Sequence, residues 1–379
     1  MKTLDRETTE TAAASGLEGV EAARTALSDV DGERGRLTIA GHDVEALAAR
    51  AGFEDVCALL WDGRLPDAGE REDLRRALGR ARRQAFGEIA GLGSALKASD
   101  GMDALRAAVA HLTVPRDERE GMVHITAATA VFAAAWCRIR AGLPLVPPDP
   151  ARTHAADYLN MATGGADQAA GLEAYLVTAA EHGMNASTFA ARVVTSTGSD
   201  LVSAVVAGIG ALKGPLHGGA PGLVLDMLDA IGEPERAAAW VEAELRAGRR
   251  LMGMGHRIYR VRDPRAAVLE KAVEALERAG VARARLRLAR ATEKAAQDAL
   301  AARHPERPLR TNVEFYTAVL LEAVGLPREA FTPTFAVARV AGWCAHVAEQ
   351  RRVGKLIRPS AAYVGPLSAP DPDDHRDGQ

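Results

Sequence analysis

Three histidines lie in short segments rich in glycine or other small residues, where a side chain can face a ligand at a tight turn. They are His182 in EHGMN, His217 in GPLHGG and His256 in GMGHR. Glycine permits turns and close backbone approaches that other residues exclude. Each histidine alone is compatible with an ordinary loop or core position, but three such settings together favour a functional site. None has the H-E-x-x-H or C-x-x-C spacing of a zinc site, so we expect no metal.

Arginines crowd the segment that follows the third histidine, and two more lie near the C-terminus. The set is Arg257, Arg260, Arg262 and Arg265 around Asp263-Pro264, with Arg339 and Arg358 further along. The planar guanidinium group binds carboxylates and phosphates through paired hydrogen bonds. A solvated charged face is the alternative, but the proximity of these arginines to a glycine-histidine loop favours a substrate with several negative charges.

A carboxylate, Glu314, lies among apolar and aromatic neighbours in TNVEFY, at the predicted start of a helix. Apolar surroundings raise the pKa of a carboxyl group, whereas a helix N-terminus lowers it, so the sign of the net shift stays open. An ordinary glutamate in the first turn of a helix is the alternative interpretation.

The elements that carry these residues have the apolar spacing of helices. One stripe is Leu172, Tyr175, Leu176 and Ala179, and another is Val268, Leu269, Ala272, Val273 and Leu276. This periodicity predicts an all-α protein. One short alternating stretch, residues 36–44 around Gly41, predicts a small hairpin. Two G-x-G segments lack a third glycine and a preceding strand, and there is no P-loop motif, so nucleotide-binding α/β folds are disfavoured.

The bulk properties narrow the class of partner. The chain has 379 residues and a formal net charge of −3, with no basic stripe that would favour nucleic acid or an anionic membrane. Its three widely spaced cysteines argue against a disulfide framework. The polar N-terminus has no apolar core of a signal peptide. We therefore expect a soluble, cytoplasmic protein that binds small molecules.

Five ordered segments resemble the citrate synthase family, and the likeness runs from about residue 16 to residue 365. The segments are HGMNASTFAARVV, GALKGPLHGGA, GMGHRIYRVRDPR, TNVEFY and LIRPSAAYVG, preceded by a family-like opening at residues 25–35. The resemblance implies a large helical domain from residues 1–217 and 325–379. The polar composition of its ends, at about 1–16 and 368–379, predicts that both ends fray. A small helical domain, 218–324, is inserted between its two parts, and the active site lies in the cleft.

The same resemblance assigns roles in the condensation of acetyl-CoA with oxaloacetate. Glu314 removes the methyl proton, His217 stabilises the enolate oxygen and His256 polarises the ketone. His182, Arg265 and Arg339 bind oxaloacetate, with Arg358 contributed by the partner subunit of a homodimer. The CoA site comprises Arg260 and Arg262 at the phosphates, with the backbone of Met252, Gly253 and Gly255 near the adenine. Acetyl-CoA is a co-substrate, and the reaction needs no cofactor.

Three positions depart from the family pattern beside this site. Glu314 replaces the usual aspartate, Pro221 replaces an asparagine, and Glu181 precedes His182 where aspartate is usual. Pro221 also predicts a helix N-terminus near His217, and we expect this to depress the pKa of the histidine. Three functions remain open: citrate synthase, 2-methylcitrate synthase using propionyl-CoA, or a catalytically silent paralogue with a binding or regulatory role.

Overall fold

The structure, a computed structural model, describes residues 17, 19–218, 220–255, 259, 261–305 and 309–365. Within these residues the protein consists of fifteen α-helices and one small sheet, which confirms the predicted all-α class. The helices before the midpoint are α1 Val44–Ala48, α2 Phe53–Asp62, α3 Ala68–Glu88, α4 Gly101–Ala110, α5 Glu118–Arg140, α6 His154–Thr163, α7 Ala169–Ala179 and α8 Ala186–Ser196. The others are α9 Leu201–Leu212, α10 Ala220–Ile231, α11 Ala237–Arg246, α12 Pro264–Arg278, α13 Arg283–Arg303, α14 Val313–Ala323 and α15 Phe331–Val353.

The sheet contains the predicted hairpin and one strand that the sequence did not reveal. Strands β2 (Arg36–Ile39) and β3 (His42–Asp43) pair antiparallel around Ala40 and Gly41, whose φ angles are +43° and +85°. Two successive positive φ angles are typical of a tight hairpin turn whose twist matches that of the strands. Strand β1 (Ser28–Asp31) pairs antiparallel with β2 and lies within the family-like opening segment.

Both predicted apolar stripes face the core. In α7, Leu172, Tyr175, Leu176 and Ala179 are buried, and in α12 the buried positions are Val268, Leu269, Val273 and Leu276, with Ala272 partly buried. Helix α12 packs against both α7 and α14, and α11 packs on α13. These contacts place the charged N-terminus of α12 beside the start of α14.

The central helix α5 has the length and apolar composition of a membrane-spanning helix, but 94% of its apolar window is buried inside the protein. It packs against α3, α4, α6 and α15. A core helix surrounded by other helices has the same all-round apolar character as a membrane span. The burial of α5 therefore identifies it as part of the core of this fold.

Asparagine or aspartate caps the three helices that begin beside the functional residues described below. Asn185 caps α8 and accepts from the Thr188 amide at 3.1 Å, Asp263 caps α12, and Asn312 caps α14. A side-chain oxygen at this position satisfies amide groups that the helix leaves unpaired. The start of each helix is thereby fixed in place.

Glu173 on α7 is an acidic group in the interior, away from these helix starts. Its Oε1 accepts a hydrogen bond from the Phe53 amide at the start of α2. Burial, reinforced by the negative charge of Glu54, raises the pKa of Glu173 to about 8. The folded state therefore binds a proton that the unfolded chain releases above a pKa of about 4.3, so stability contributed by this group falls as pH rises through this window.

We expect Glu173→Gln to increase the free energy of unfolding by on the order of 1–2 kcal/mol at pH 8.5 and to change it little at pH 5. Glutamine keeps the acceptor for the Phe53 amide but removes the buried charge. Urea unfolding at the two pH values measures the effect, with the exposed Glu235→Gln as the matched control. Equal effects of Glu173→Gln at both pH values would contradict the prediction.

Candidate active site

A cavity of about 890 Å³ lies between two groups of helices. One wall comes from the loop before α8, the loop after α9 and helix α15, and the opposite wall comes from the region between the end of α11 and the start of α14. The first wall includes His182, Asn185, His217, Phe335 and Arg339, and the second includes Arg250, Gly255, Arg265, Arg303 and Glu314. The division of the chain into two domains, with the boundaries expected from the sequence, stays a prediction.

His217 follows α9, and the buried hydroxyl of Ser187 holds its ring. The distance from His217 Nε2 to Ser187 Oγ is 2.9 Å. Ser187 Oγ also accepts from Trp343 Nε1 at 3.1 Å and donates to Asn185 Oδ1 at 2.7 Å. Because a serine hydroxyl has one proton, which Asn185 accepts here, Ser187 Oγ faces His217 Nε2 as an acceptor. Ser187 therefore fixes the orientation of the imidazole beside the cavity.

Burial lowers the pKa of His217 to about 4, and the positive charge of Arg339 adds to this effect. Helix α10 begins at Ala220, so Pro221 lies in its first turn as expected. The direction of the shift agrees with the sequence-based hypothesis, but the causes found here are burial and Arg339. At neutral pH His217 is an uncharged imidazole that can donate a hydrogen bond.

Glu314 is the second residue of α14, and its amide donates to Asn312 Oδ1 at 3.0 Å. Removal from bulk water raises the pKa of its carboxyl to about 7, although the charges of Arg265 and Arg339 oppose the shift. The sign that the sequence left open is therefore decided by burial. A carboxylate with this pKa is ionised in part at neutral pH and is a stronger base than an exposed glutamate.

Two buried arginines face the cavity from opposite walls. Burial disfavours the charge of Arg265, but its ion pair with Asp263 at 2.8 Å outweighs this effect and raises the pKa of Arg265. Arg339, 1% exposed, donates from Nε to the Ala179 carbonyl at 2.7 Å and stacks on the Phe335 ring at 4.9 Å. Its terminal nitrogens form no hydrogen bond or ion pair with a described residue, so they are available to an anionic ligand.

His182 completes the polar lining of the first wall. The residue is 8% exposed, and its Nε2 lies 3.0 Å from the hydroxyl of Tyr259. The two rings also meet edge to face at 5.8 Å. The tyrosine therefore fixes the orientation of the imidazole beside the cavity.

The glycine loop at 253–255 joins the second wall to the start of α14. The Asn312 amide donates to the Gly253 carbonyl at 2.9 Å, and the Gly255 amide donates to the Arg310 carbonyl at 2.7 Å. At Gly253, φ is +77° and a Cβ atom would lie 2.7 Å from Cβ of Phe315. Only glycine permits this approach. Gly255 lines the cavity, whereas Met252 and Gly253 support the loop behind it.

Besides Met252 and Gly253, four residues assigned from the sequence are not among the described cavity lining. His256 and Arg260 lie outside the described residues. Arg262 is directed to a separate surface cleft, where it forms an ion pair with Glu270, so the structure does not bring it to the cavity as a phosphate ligand. Arg358 is exposed on the segment after α15. No group of three His, Cys, Asp or Glu side chains in the described part of the chain is arranged to hold a metal ion.

Three arginines and a histidine of the cavity lining were not predicted from the sequence: Arg249, Arg250, Arg303 and His304. Arg249 and Arg303 form ion pairs with Glu244 and Glu242. Arg250 is exposed and pairs with no described residue. Arg250 lies three residues before the glycine loop, and this proximity could have identified it from the sequence as a residue of the site. Ser187 and Phe335 were also missed, because neither residue type indicates a site without its neighbours.

The chain matches known proteins over nearly its whole length. Residues 16–360 match the family described as citrate synthase, C-terminal domain. The chain is 40% identical to a putative citrate synthase 2 of Mycobacterium tuberculosis, over 93% of this chain and 92% of that protein. It is 38% identical to the citrate synthase of Haloferax volcanii, over 92% and 95%. It is also 36% identical to a 2-methylcitrate synthase of M. tuberculosis, over 92% and 90%.

Solved structures give the same result. Citrate synthase from Thermotoga maritima superimposes with a TM-score of 0.81 at 34% identity, covering 96% of this chain and 99% of that one. Citrate synthase from Thermoplasma acidophilum, in a ternary complex with carboxymethyl coenzyme A and oxaloacetate, gives 0.82 at 29% identity, covering 94% and 97%. The chain therefore belongs to the citrate synthase family and is an acyltransferase of the citrate synthase type.

Proposed function

We propose that the protein condenses acetyl-CoA with oxaloacetate and hydrolyses the resulting thioester to citrate and CoA. The observation that carries this proposal is the meeting, in one cavity, of a carboxylate with a pKa of about 7, a neutral histidine and two buried arginines. The relative from T. acidophilum, which binds oxaloacetate and a CoA analogue in its crystal structure, supports the choice of substrates.

The first step makes a carbon nucleophile. Glu314 takes a proton from the methyl group of acetyl-CoA, and the electron pair of the C–H bond forms the enolate. His217 donates a hydrogen bond to the thioester oxygen, where the negative charge develops. A positioned donor in a site with little water stabilises such charge more than water does, because the donor does not have to reorient.

The second step adds this carbon to the ketone of oxaloacetate. Arg265 and Arg339 hold the two carboxylates, with His182 beside them. His256, assigned by resemblance, polarises the ketone oxygen and supplies its proton. Attack forms the new C–C bond of a citryl thioester. Water then adds to the thioester carbonyl and CoA leaves as the thiol, giving citrate.

The outer end of the cavity suits the CoA phosphates. Arg249, Arg250 and Arg303 surround an opening that also has the apolar side chains of Leu245, Leu300 and Leu309. Cations beside apolar surface fit a nucleotide that carries phosphates on an apolar base and ribose. We assign to Arg250 the phosphate contact that the family resemblance implied for Arg262. We further propose a homodimer in which the exposed Arg358 reaches the active site of the partner subunit.

A 2-methylcitrate synthase is the second candidate, favoured by the 36% identical relative of that name. An acyl pocket larger by one methylene distinguishes the two reactions. Such a difference changes binding by about 1–3 kcal/mol.

The function is tested by following free thiol release from acetyl-CoA and from propionyl-CoA in the presence of oxaloacetate. We expect kcat/KM to be higher for acetyl-CoA and to fall as pH drops below about 7, because protonated Glu314 is no longer a base. Glu314→Ala should lower kcat by at least about 10³-fold, and Glu314→Asp, which moves the carboxylate by about 1 Å, by about 10²-fold.

The outcomes separate the candidates. A higher kcat/KM for propionyl-CoA would identify a 2-methylcitrate synthase. Retained oxaloacetate binding with no thiol release from either donor would indicate a silent paralogue. Wild-type activity in Glu314→Ala would show that another group is the base.

A second prediction concerns the protonation of His217. We expect the imidazole to stay neutral down to a pH of about 5, with the half-protonation point at about 4. NMR titration of labelled histidines measures it, with His217→Asn assigning the resonance. Arg339→Gln should raise the His217 pKa, because it removes the neighbouring positive charge. An ordinary value near 6.5 in the wild type would contradict the proposed burial effect.

A third prediction concerns the CoA site. Arg250→Ala should raise KM for acetyl-CoA about 5- to 10-fold and leave KM for oxaloacetate unchanged, because one charge-assisted contact is lost. Arg246→Ala, an exposed arginine of α11 outside the cavity lining, is the matched control. Acetyl-dephospho-CoA lacks the 3′-phosphate of CoA. If Arg250 binds this phosphate, Arg250→Ala and Arg246→Ala should have equal KM values for acetyl-dephospho-CoA. Equal KM values for Arg250→Ala and the control with acetyl-CoA would remove Arg250 from the site.

A further inference from the structure

We propose that Glu293, a carboxylate of α13 that does not line the cavity, is a positioning residue for the base Glu314. This inference rests on the proposed function, in which Glu314 removes the methyl proton. Glu293 is 9% exposed and belongs to the separate surface cleft that also contains Arg262 and Arg290.

The two oxygens of Glu293 bind residues on either side of Glu314 in the chain. Thr311 Oγ1 donates to Glu293 Oε1 at 2.6 Å, and the Tyr316 hydroxyl donates to Oε2 at 2.5 Å. Thr311 is three residues before Glu314 and Tyr316 is two residues after it. One carboxylate of α13 therefore holds the chain on both sides of Glu314. We call this pair of contacts the clamp.

The charges around Tyr316 favour this direction of its single proton. Arg290 Nη1 donates to the phenol oxygen at 2.8 Å, so the tyrosine proton is free to point elsewhere. Two carboxylates lie within hydrogen-bonding distance of the phenol oxygen, Glu293 at 2.5 Å and Glu270 at 3.0 Å. Glu270 is already paired with Arg262 and Arg290. Glu293 Oε2 lies 3.9 Å from Arg290 Nη1, so its negative charge is less neutralised than that of Glu270. The shorter distance and the weaker ion pairing make Glu293 the preferred acceptor.

The clamp also reaches the glycine loop. Thr311 pairs with Met254 in an isolated β-bridge, and the next residue, Asn312, donates from Nδ2 to the Gly255 carbonyl at 2.8 Å. The start of α14 and the loop at 253–255 therefore move as one unit, with Glu293 as their attachment to α13. A displacement of about 1 Å at a reacting group can cost 10²-fold in rate, so an attachment outside the cavity can control the chemical step.

The decisive variant is Glu293→Gln, which keeps the shape of the side chain and one acceptor oxygen. Its amide nitrogen cannot accept the Tyr316 proton. We expect kcat to fall about 10- to 100-fold and KM for oxaloacetate to stay within about 2-fold, because the arginine contacts are untouched. The deuterium isotope effect on kcat, measured with trideuteroacetyl-CoA, should rise because deprotonation becomes slower relative to the other steps.

Glu274→Gln is the matched control. Glu274 also pairs with Arg290, at 3.1 Å, but it contacts neither Thr311 nor Tyr316. We expect wild-type kcat and isotope effect for this variant. Thr311→Val and Tyr316→Phe each remove one half of the clamp and should each give a smaller fall in kcat with a raised isotope effect. If circular dichroism shows that the Glu293→Gln protein does not fold, Thr311→Val and Tyr316→Phe test the role of Glu293 in its place.

The isotope effect separates positioning from loss of folded enzyme, because an inactive fraction lowers kcat and leaves the isotope effect unchanged. An unchanged or smaller isotope effect in Glu293→Gln, or a kcat within 2-fold of the wild type, would overturn the role of Glu293. Absence of thiol release from the wild type would instead contradict the proposed function itself.

Discussion

The rest of the site depends on the removal of Glu314 and His217 from bulk water. A carboxylate in water has a pKa of about 4.3 and is a weak base. Burial raises the pKa of Glu314 to about 7, and it lowers that of His217 to about 4. One effect, desolvation of the charged form, therefore strengthens the base and keeps the hydrogen-bond donor neutral.

Desolvation alone would raise the pKa of Glu314 so far that the carboxyl would be protonated at neutral pH. The two arginines limit this rise in pKa. Arg265 and Arg339 lower the pKa of the carboxyl while burial raises it. The arginines are themselves buried: the pKa of Arg339 is lowered to about 10 by burial, so it keeps its charge at neutral pH. Each cation stabilises the ionised base, and Arg339 also helps to hold the histidine neutral. Binding of a dicarboxylate to these arginines would neutralise them and strengthen the base further.

Buried charges of this kind need a scaffold that does not relax around them. On one wall, α15 approaches the chain so closely that a Cβ on Gly342 would lie 2.3 Å from the Ala180 carbonyl. The adjacent Glu181 accepts from Ser28 Oγ at 2.8 Å, and its Oε1 lies 3.1 Å from His346 Nε2. These contacts join the N-terminal strand, the segment of His182 and helix α15. On the other wall the base lies in the first turn of α14, whose start is held by the Asn312 cap and by the contacts of Thr311 and Asn312 with the glycine loop.

The sequence by itself determined the helical class, the two apolar stripes, the hairpin at Gly41 and the motifs that identify the family. These features depend on local spacing, and a period of 3.6 or 2 residues reports which face of an element is buried. The candidate base and the histidine at 217 also came from local motifs. Tertiary structure alone decided the sign of the Glu314 pKa shift, the separation of Arg262 from the cavity, the place of Arg250 and the contact of Ser187 with His217. Each of these depends on which distant segments meet, as when Arg339 binds the carbonyl of Ala179, 160 residues away. Desolvation is a property of all the atoms around a group, and sequence spacing records only the neighbours along the chain.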